Sequence, residues 1–196
     1  MTALGKFDLR LEGAAFRRLY AGGRPAAVEE VASDAGLAHD DARATVNEML
    51  AQGRIRVDGD GRVVGACGLS VVPDRHELWV GERRFWTWCA MDAVGILGAL
   101  AASGLVRSRS PRSGAVVEIR FTAGRPEPTP AVIFMAERTG CVSVYDDWCS
   151  KLNLFEDAAA AAAWIESSGA TGQPVPVPEL TESVSARWRV LVEEAG

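Results

Sequence analysis

Two histidines and four cysteines in 196 residues leave little material for an imidazole-based metal site. Neither C-x-x-C nor H-E-x-x-H occurs, which sets aside the zinc-ribbon, thioredoxin-like and zinc-peptidase readings. No run of about 18 apolar residues is free of small and polar interruptions, so no transmembrane helix is expected. The start, MTALGKFDLRLEG, lacks the apolar centre and small-residue cleavage site of a signal peptide. A cytoplasmic location and no membrane partner are therefore expected. In a reducing compartment Cys67, Cys89, Cys141 and Cys149 are better read as reactive thiols or soft-metal ligands than as a disulfide framework. A net charge of -5 offers no general attraction to nucleic acid or anionic lipid. What is present is an ordinary globular balance, 48% hydrophobic and 24% charged, in a chain long enough to bury a core.

The N-terminal part predicts helices and a hairpin. Phe16 to Tyr20 ends a short helix closed by Gly22 and Gly23. Val28, Val31 and Ala32 make one apolar helical stripe, Gly36 marks a turn, and Ala44, Val46, Met49 and Leu50 make a second stripe. Ile55 and Val57, the turn Asp58-Gly59-Asp60-Gly61, and Val63 and Val64 then outline a two-stranded wing. Helix, turn, helix and wing give a winged-helix-like region over residues 1–75. DNA is nonetheless an unlikely partner. The would-be recognition helix opens on Asp40 and Asp41 and continues to Glu48 with only Arg43 opposing, which forfeits phosphate contacts.

Residues 76–196 read as a catalytic region of mixed or antiparallel sheet with packed helices, making the whole chain α+β. His76–Val80 and Arg83–Thr87 predict a hairpin around Gly81-Glu82. A helix is expected from there to about Gly104, then a basic link over 107–114. Ala115–Thr122 alternates as a strand, 124–130 with its three prolines is loop, and Ala131–Ala136 is a continuous apolar strand, central in its sheet. Asp157 is a good N-cap for the alanine run 158–163, Pro174–Pro178 is a short edge strand, and Thr181–Glu194 closes the chain as a helix with Val184, Trp188, Leu191 and Val192 inward.

The stretch Phe85–Leu105 is where chemistry is expected. After Trp88 it is almost wholly apolar or small, yet it carries the Cys89 thiol and the Asp92 carboxyl, and nothing else ionisable until Arg107. Residues three apart share a helix face, so the two groups point into one space. A buried acid must be hydrogen-bonded, protonated or facing a cavity, and the last two suit a proton donor. Thr87 as N-cap would put Cys89 in the first turn, where the dipole favours thiolate. The plain alternative is a buried free cysteine beside an acid that only complements the helix dipole.

These residues resemble the bacterial organomercurial (alkylmercury) lyase family. The signature W-C-A-M-D, Trp88 to Asp92, is similar to the family's cysteine followed three residues later by aspartate, and Trp148-Cys149 falls where the family places its second active-site cysteine. The resemblance implies that Cys89 and Cys149 bind mercury and that Asp92 protonates the leaving carbon. It implies no organic cofactor, with external thiols as co-reactants, Hg(II) as bound product, and small thiols or a mercuric reductase as its acceptor. Thiolate is the soft ligand for a soft metal, and a second thiolate weakens the metal–carbon bond. Trp86, Trp88, Tyr145, Trp148 and Ser150 are the expected pocket for the organic group. Two positions depart from the family: Ser110 stands near where members carry a further, structural cysteine, and Ser150 follows Cys149 where a cysteine pair is common. Cys67 and Cys141 match no catalytic position and read as structural. The rivals are a soft-metal (mercury or copper) binder or sensor, a relative repurposed for other thiol-dependent lyase chemistry, and a plain structural domain.

Overall fold

The computed structural model describes residues 6–138 and 140–193. Three helices lead the chain, α1 (Lys6–Gly22), α2 (Val28–Asp34) and α3 (His39–Ala51). Ala42, Val46 and Met49, spaced four and three apart, are the buried stripe of α3. Ala44, expected in that stripe, lies nearly half a turn away and is exposed. The hairpin β1 (Ile55–Val57) and β2 (Val63–Ala66) follows as expected, but it is not a free wing. β2 pairs with β3 (Leu69–Ser70), which pairs with β5 (Arg83–Thr87), so the hairpin is one edge of a continuous sheet.

That sheet has eight antiparallel strands in the order β1-β2-β3-β5-β4-β6-β7-β8, with β4 (His76–Val80), β6 (Gly104–Arg109), β7 (Val116–Thr122) and β8 (Arg125–Pro126). The α+β reading therefore holds. β6 corrects two expectations, since the helix α4 (Ala90–Ala99) stops five residues before Gly104 and residues 107–109 of the basic link are strand, with turn over 111–113. The reason is period two: Val106 and Ser108 turn inward while Arg107 and Arg109 face water, and Arg107 pairs with Glu118 across the ladder at 2.6 Å.

A second, three-stranded sheet sets β9 (Val132–Ala136) between β10 (Leu154–Phe155) and β11 (Gly172–Pro176), so the apolar run is central and the proline-rich strand is an edge. Between β9 and β10 the chain makes a π-helical turn, Val144–Trp148, and a 3-10 turn, Cys149–Lys151. α5 (Ala158–Ser168) is capped by Asp157, whose carboxylate accepts the Ala160 N–H at 2.8 Å. α6 (Val177–Glu193) starts earlier than expected, directly after β11. Trp188 is buried as expected and Val184 half-buried, while the side chains of Leu191 and Val192 lie outside the described residues.

The inner face of the large sheet, built of Leu78, Phe85, Val106, Ile119 and Phe121, is covered by α4, every residue of which from Ala90 to Leu97 is buried. α6 lies along α4 at close range because Gly95 and Gly98 present no side chain. A Cβ on Gly95 would stand 2.4 Å from the Trp188 ring, and one on Gly98 would stand 2.0 Å from Ser185 Oγ.

Candidate active site

The N-terminus of α4 is made by its own two functional residues. Cys89, in extended conformation, is the N-cap, and Asp92 is the third residue of the helix. The Asp92 N–H donates to Cys89 Sγ at 3.4 Å, and the Cys89 N–H donates to Asp92 Oδ2 at 3.1 Å. This reciprocal pair satisfies two of the helix's orphan donors with a thiol and a carboxylate where serine and glutamate are usual. Thr87 is not the cap; its hydroxyl donates to the Cys89 carbonyl at 3.0 Å.

Cys149 arrives from 57 residues downstream, at the start of the 3-10 turn. The carbonyl of Leu152 accepts the Ala90 N–H at 3.1 Å, which ties that turn to the start of α4. The Cys149 thiol then faces Asp92 Oδ2 at 4.0 Å. One ligand atom each from Cys89, Asp92 and Cys149 lies within 4.8 Å of the others. All three side chains are closed off from solvent, at 0%, 4% and 2% exposure, so a reactant must displace part of the wall to reach them.

Burial decides the protonation of this group. It pushes the Cys89 thiol well above its ordinary value, and the neighbouring Cys149 and Asp92 push it further the same way. The thiolate expected from the helix dipole is thus overruled in the resting state. Burial also raises the Asp92 carboxyl to about 6, against the opposing pull of the Cys89 hydrogen bonds and the Arg187 and Arg75 charges. The arrangement sets a carboxyl poised near neutrality between two sulfur ligands, where it can take a proton from the Cys89 thiol and return it to another atom.

The expected pocket residues separate. Trp88 is buried and meets the Tyr145 ring edge-on, centroids 5.5 Å apart. Tyr145 is half-buried and sends its hydroxyl to Asp74 at 3.2 Å. Trp148 donates its indole N–H to the Ala136 carbonyl at 3.1 Å and carries Arg138 on its face, so it fastens to β9. Ser150 turns its hydroxyl back to the Asp146 carbonyl. Trp86 does not join them: it alternates with buried Phe85 and Thr87 and lies on the outer face of β5 under Arg84, 4.8 Å from the guanidinium. Ser110 is buried in the β6–β7 turn, its backbone bonded to Ala115 and Gly114.

Sequence reasoning missed a turn that packs directly against the acid. Cys67 and Gly68, at φ of 51° and 83°, form the tight turn between β2 and β3. A Cβ on Gly68 would stand 2.2 Å from Asp92 Cγ. The Cys67 carbonyl accepts the Trp188 indole N–H at 2.8 Å, so α6 braces that turn. The available signal is a Cys-Gly pair between two short apolar segments, which in sequence says no more than a structural cysteine.

A family model for alkylmercury lyase matches residues 69–189, a span that holds Cys89, Asp92 and Cys149. The chain is similar to an alkylmercury lyase of Staphylococcus epidermidis, with 26% identity over 153 residues, 76% of this chain and 68% of that protein. It is equally similar to one of Streptomyces lividans, with 26% identity over 152 residues, 76% of this chain and 69% of that protein. Its fold matches the crystal structure of the mercury-bound form of MerB2 with a TM-score of 0.88 at 19% identity, covering 97% of this chain and 94% of that one.

Proposed function

Because the chain belongs to the alkylmercury lyase family, we propose that it cleaves carbon–mercury bonds of alkyl- or arylmercury compounds by protonolysis, with Cys89, Cys149 and Asp92 as the reacting groups. The observation that carries this reading is the buried meeting of two thiols and one carboxyl within 4.8 Å. Mercury is the substrate here, and two thiols with a single acid are a donor set suited to a soft, linear-coordinating metal.

The steps balance without a change of oxidation state. Cys89 exchanges its proton for the organomercury group, and the Asp92 carboxylate takes that proton. Cys149 adds as the second sulfur ligand, its proton leaving with the ligand displaced from mercury. The carbon–mercury electron pair then collects the proton from Asp92, releasing hydrocarbon and leaving Hg(II) on two thiolates. No electron donor or organic cofactor is required. Exclusion of water keeps the acid's proton for the carbon, a poor base that needs close positioning more than a tuned acid. Small thiols would then take Hg(II) by ligand exchange and hand it to a mercuric reductase. These partners and a cytoplasmic setting are part of the proposal; among the described residues, no helix is long and apolar enough to cross a membrane. In this reading residues 76–196 carry the reacting groups and residues 1–75 hold one of them in place.

Gas chromatography of benzene released from a phenylmercury salt, in excess small thiol, tests the reading. Wild type should release benzene, and Cys89→Ser, Cys149→Ser and Asp92→Asn should each lower the rate by about 10²-fold or more. Tight mercury binding by wild type without benzene would overturn the lyase reading in favour of a metal-binding protein.

A further inference from the structure

The two thiols stand on different supports. Cys89 belongs to α4, while Cys149 belongs to a segment with only irregular turns of its own. That segment is fastened to the N-terminal region. The Val144 N–H donates to the Gln52 carbonyl at 2.8 Å and the Tyr145 N–H to the Gly53 carbonyl at 3.2 Å, both in the turn between α3 and β1. Gly53 is at φ 62°, and a Cβ there would stand 2.2 Å from Ser143 Oγ. Side chains complete the joint. The Asp74 carboxylate, 4% exposed, accepts Arg56 at 2.7 Å and the Tyr145 hydroxyl at 3.2 Å. Arg56 also covers the face of the Tyr145 ring, 4.3 Å from its centroid, Arg75 stands 5.9 Å from the same centroid, and the ring meets Trp88, the residue before Cys89, edge-on.

Tyr145 therefore lies in the π-helical turn whose C-cap is Cys149, and the Cys149 N–H donates to Val144 within that turn. A hydroxyl anchored at Asp74 fixes how the turn is rotated, and the rotation of the turn fixes where the Cys149 sulfur points. We propose that Asp74, acting through the Tyr145 hydroxyl, is the positioning residue that seats Cys149 against Asp92. It touches none of the reacting atoms, and its role in turnover rests on the lyase reading. The clasp also gives the region with a helix–turn–helix outline a task in this protein: its α3–β1 turn, Arg56 and Asp74 hold the second thiol.

Tyr145→Phe and Asp74→Asn test this in the full chain, with Glu118→Gln on the exposed face of the large sheet as control. Timed labelling of the native thiols with iodoacetamide, read by peptide mass spectrometry, needs no mercury chemistry. Cys149 should label about tenfold faster in both variants than in wild type, while Cys67, held on the Glu12 carbonyl away from the clasp, should keep its rate. Benzene release in excess small thiol should fall by about 10- to 100-fold in both variants and stay at the wild-type rate in Glu118→Gln. Unchanged Cys149 labelling in both variants overturns the proposal, as does a parallel rise at Cys67, which would mean general loosening. Should wild type release no benzene, the lyase reading fails while the labelling still decides whether Asp74 seats Cys149.

Discussion

At Asp92 two opposing effects meet on one carboxyl. Burial raises it to about 6, and the hydrogen bonds that make it part of a helix cap hold it from going higher. At neutral pH the resting Asp92 is thus mainly a carboxylate, and burial keeps the Cys89 proton on sulfur beside it. Capture of an organomercurial displaces that proton and needs a base beside it. Below pH 6 the base is already protonated and the thiol proton has no local acceptor. We therefore expect kcat/KM to rise with pH through about 6 and to stay level until the raised thiol itself begins to ionise, far into the alkaline range. Asp92→Asn should lose the rising limb together with most of the rate. A wild-type profile flat from pH 5 to pH 8 would show that the proton leaves by another route. The acid is also confined sterically, because Gly68 leaves room for its carboxyl only by having no side chain.

Among the elements, α6 acts on the site at second hand. Its Trp188 fills the place left by Gly95 on α4 and donates to the Cys67 carbonyl in the turn that faces Asp92. Trp188→Ala should cost about 3–5 kcal/mol in urea unfolding, from the cavity and the carbonyl left without its donor. Trp188→Phe keeps most of the packing and should cost about 1–3 kcal/mol, chiefly for that carbonyl. A loss near zero in Trp188→Phe would show that the indole N–H contributes nothing. How much of this was legible follows the range of each interaction. The Cys89–Asp92 cap is local, and three-residue spacing in an apolar helix points to the pair, although threonine is a usual N-cap and a thiol seldom fills that place. The hairpin of β4 and β5, the central β9 and the capped α5 were equally open to periodicity and turn chemistry. β6 was hidden because Val106 and Ser108 are too weakly apolar a pair to outweigh three arginines nearby. The meeting of Cys149 with Asp92 depends on the main-chain bond from Ala90 to Leu152, and nothing local encodes such a contact; there only the family resemblance points to it. Trp86 was grouped with the site by proximity in sequence, while strand alternation sends it to the opposite face.

For the molecule as a whole, two buried groups couple folding to pH with opposite signs. His76, its Nδ1 hydrogen-bonded to Ser108 Oγ at 2.7 Å, is lowered by burial, and by the Arg75 charge, from 6.5 to about 3. Between those values the unfolded chain binds a proton that the folded one refuses, so His76 removes stability as pH falls. Asp92 is raised from 3.8 to about 6, so in that window the folded chain holds a proton the unfolded one has lost, and stability grows as pH falls. From pH 7 to pH 4 each effect is worth about 3 kcal/mol, and they nearly cancel. Single substitutions should separate them. Asp92→Asn should exceed wild type by about 3 kcal/mol at pH 7 and lose that advantage by pH 4. His76→Asn, which can keep a hydrogen bond to Ser108, should instead gain on wild type by about 3 kcal/mol between pH 7 and pH 4. Urea midpoints at several pH values, taken as differences from wild type, remove the contribution of the other carboxylates. If both difference curves are flat, neither group is held in the protonation state its burial dictates. If only the Asp92→Asn curve is flat, the acid is as open to water in solution as an ordinary surface carboxylate, and the sealed site on which the proton transfer depends would not exist.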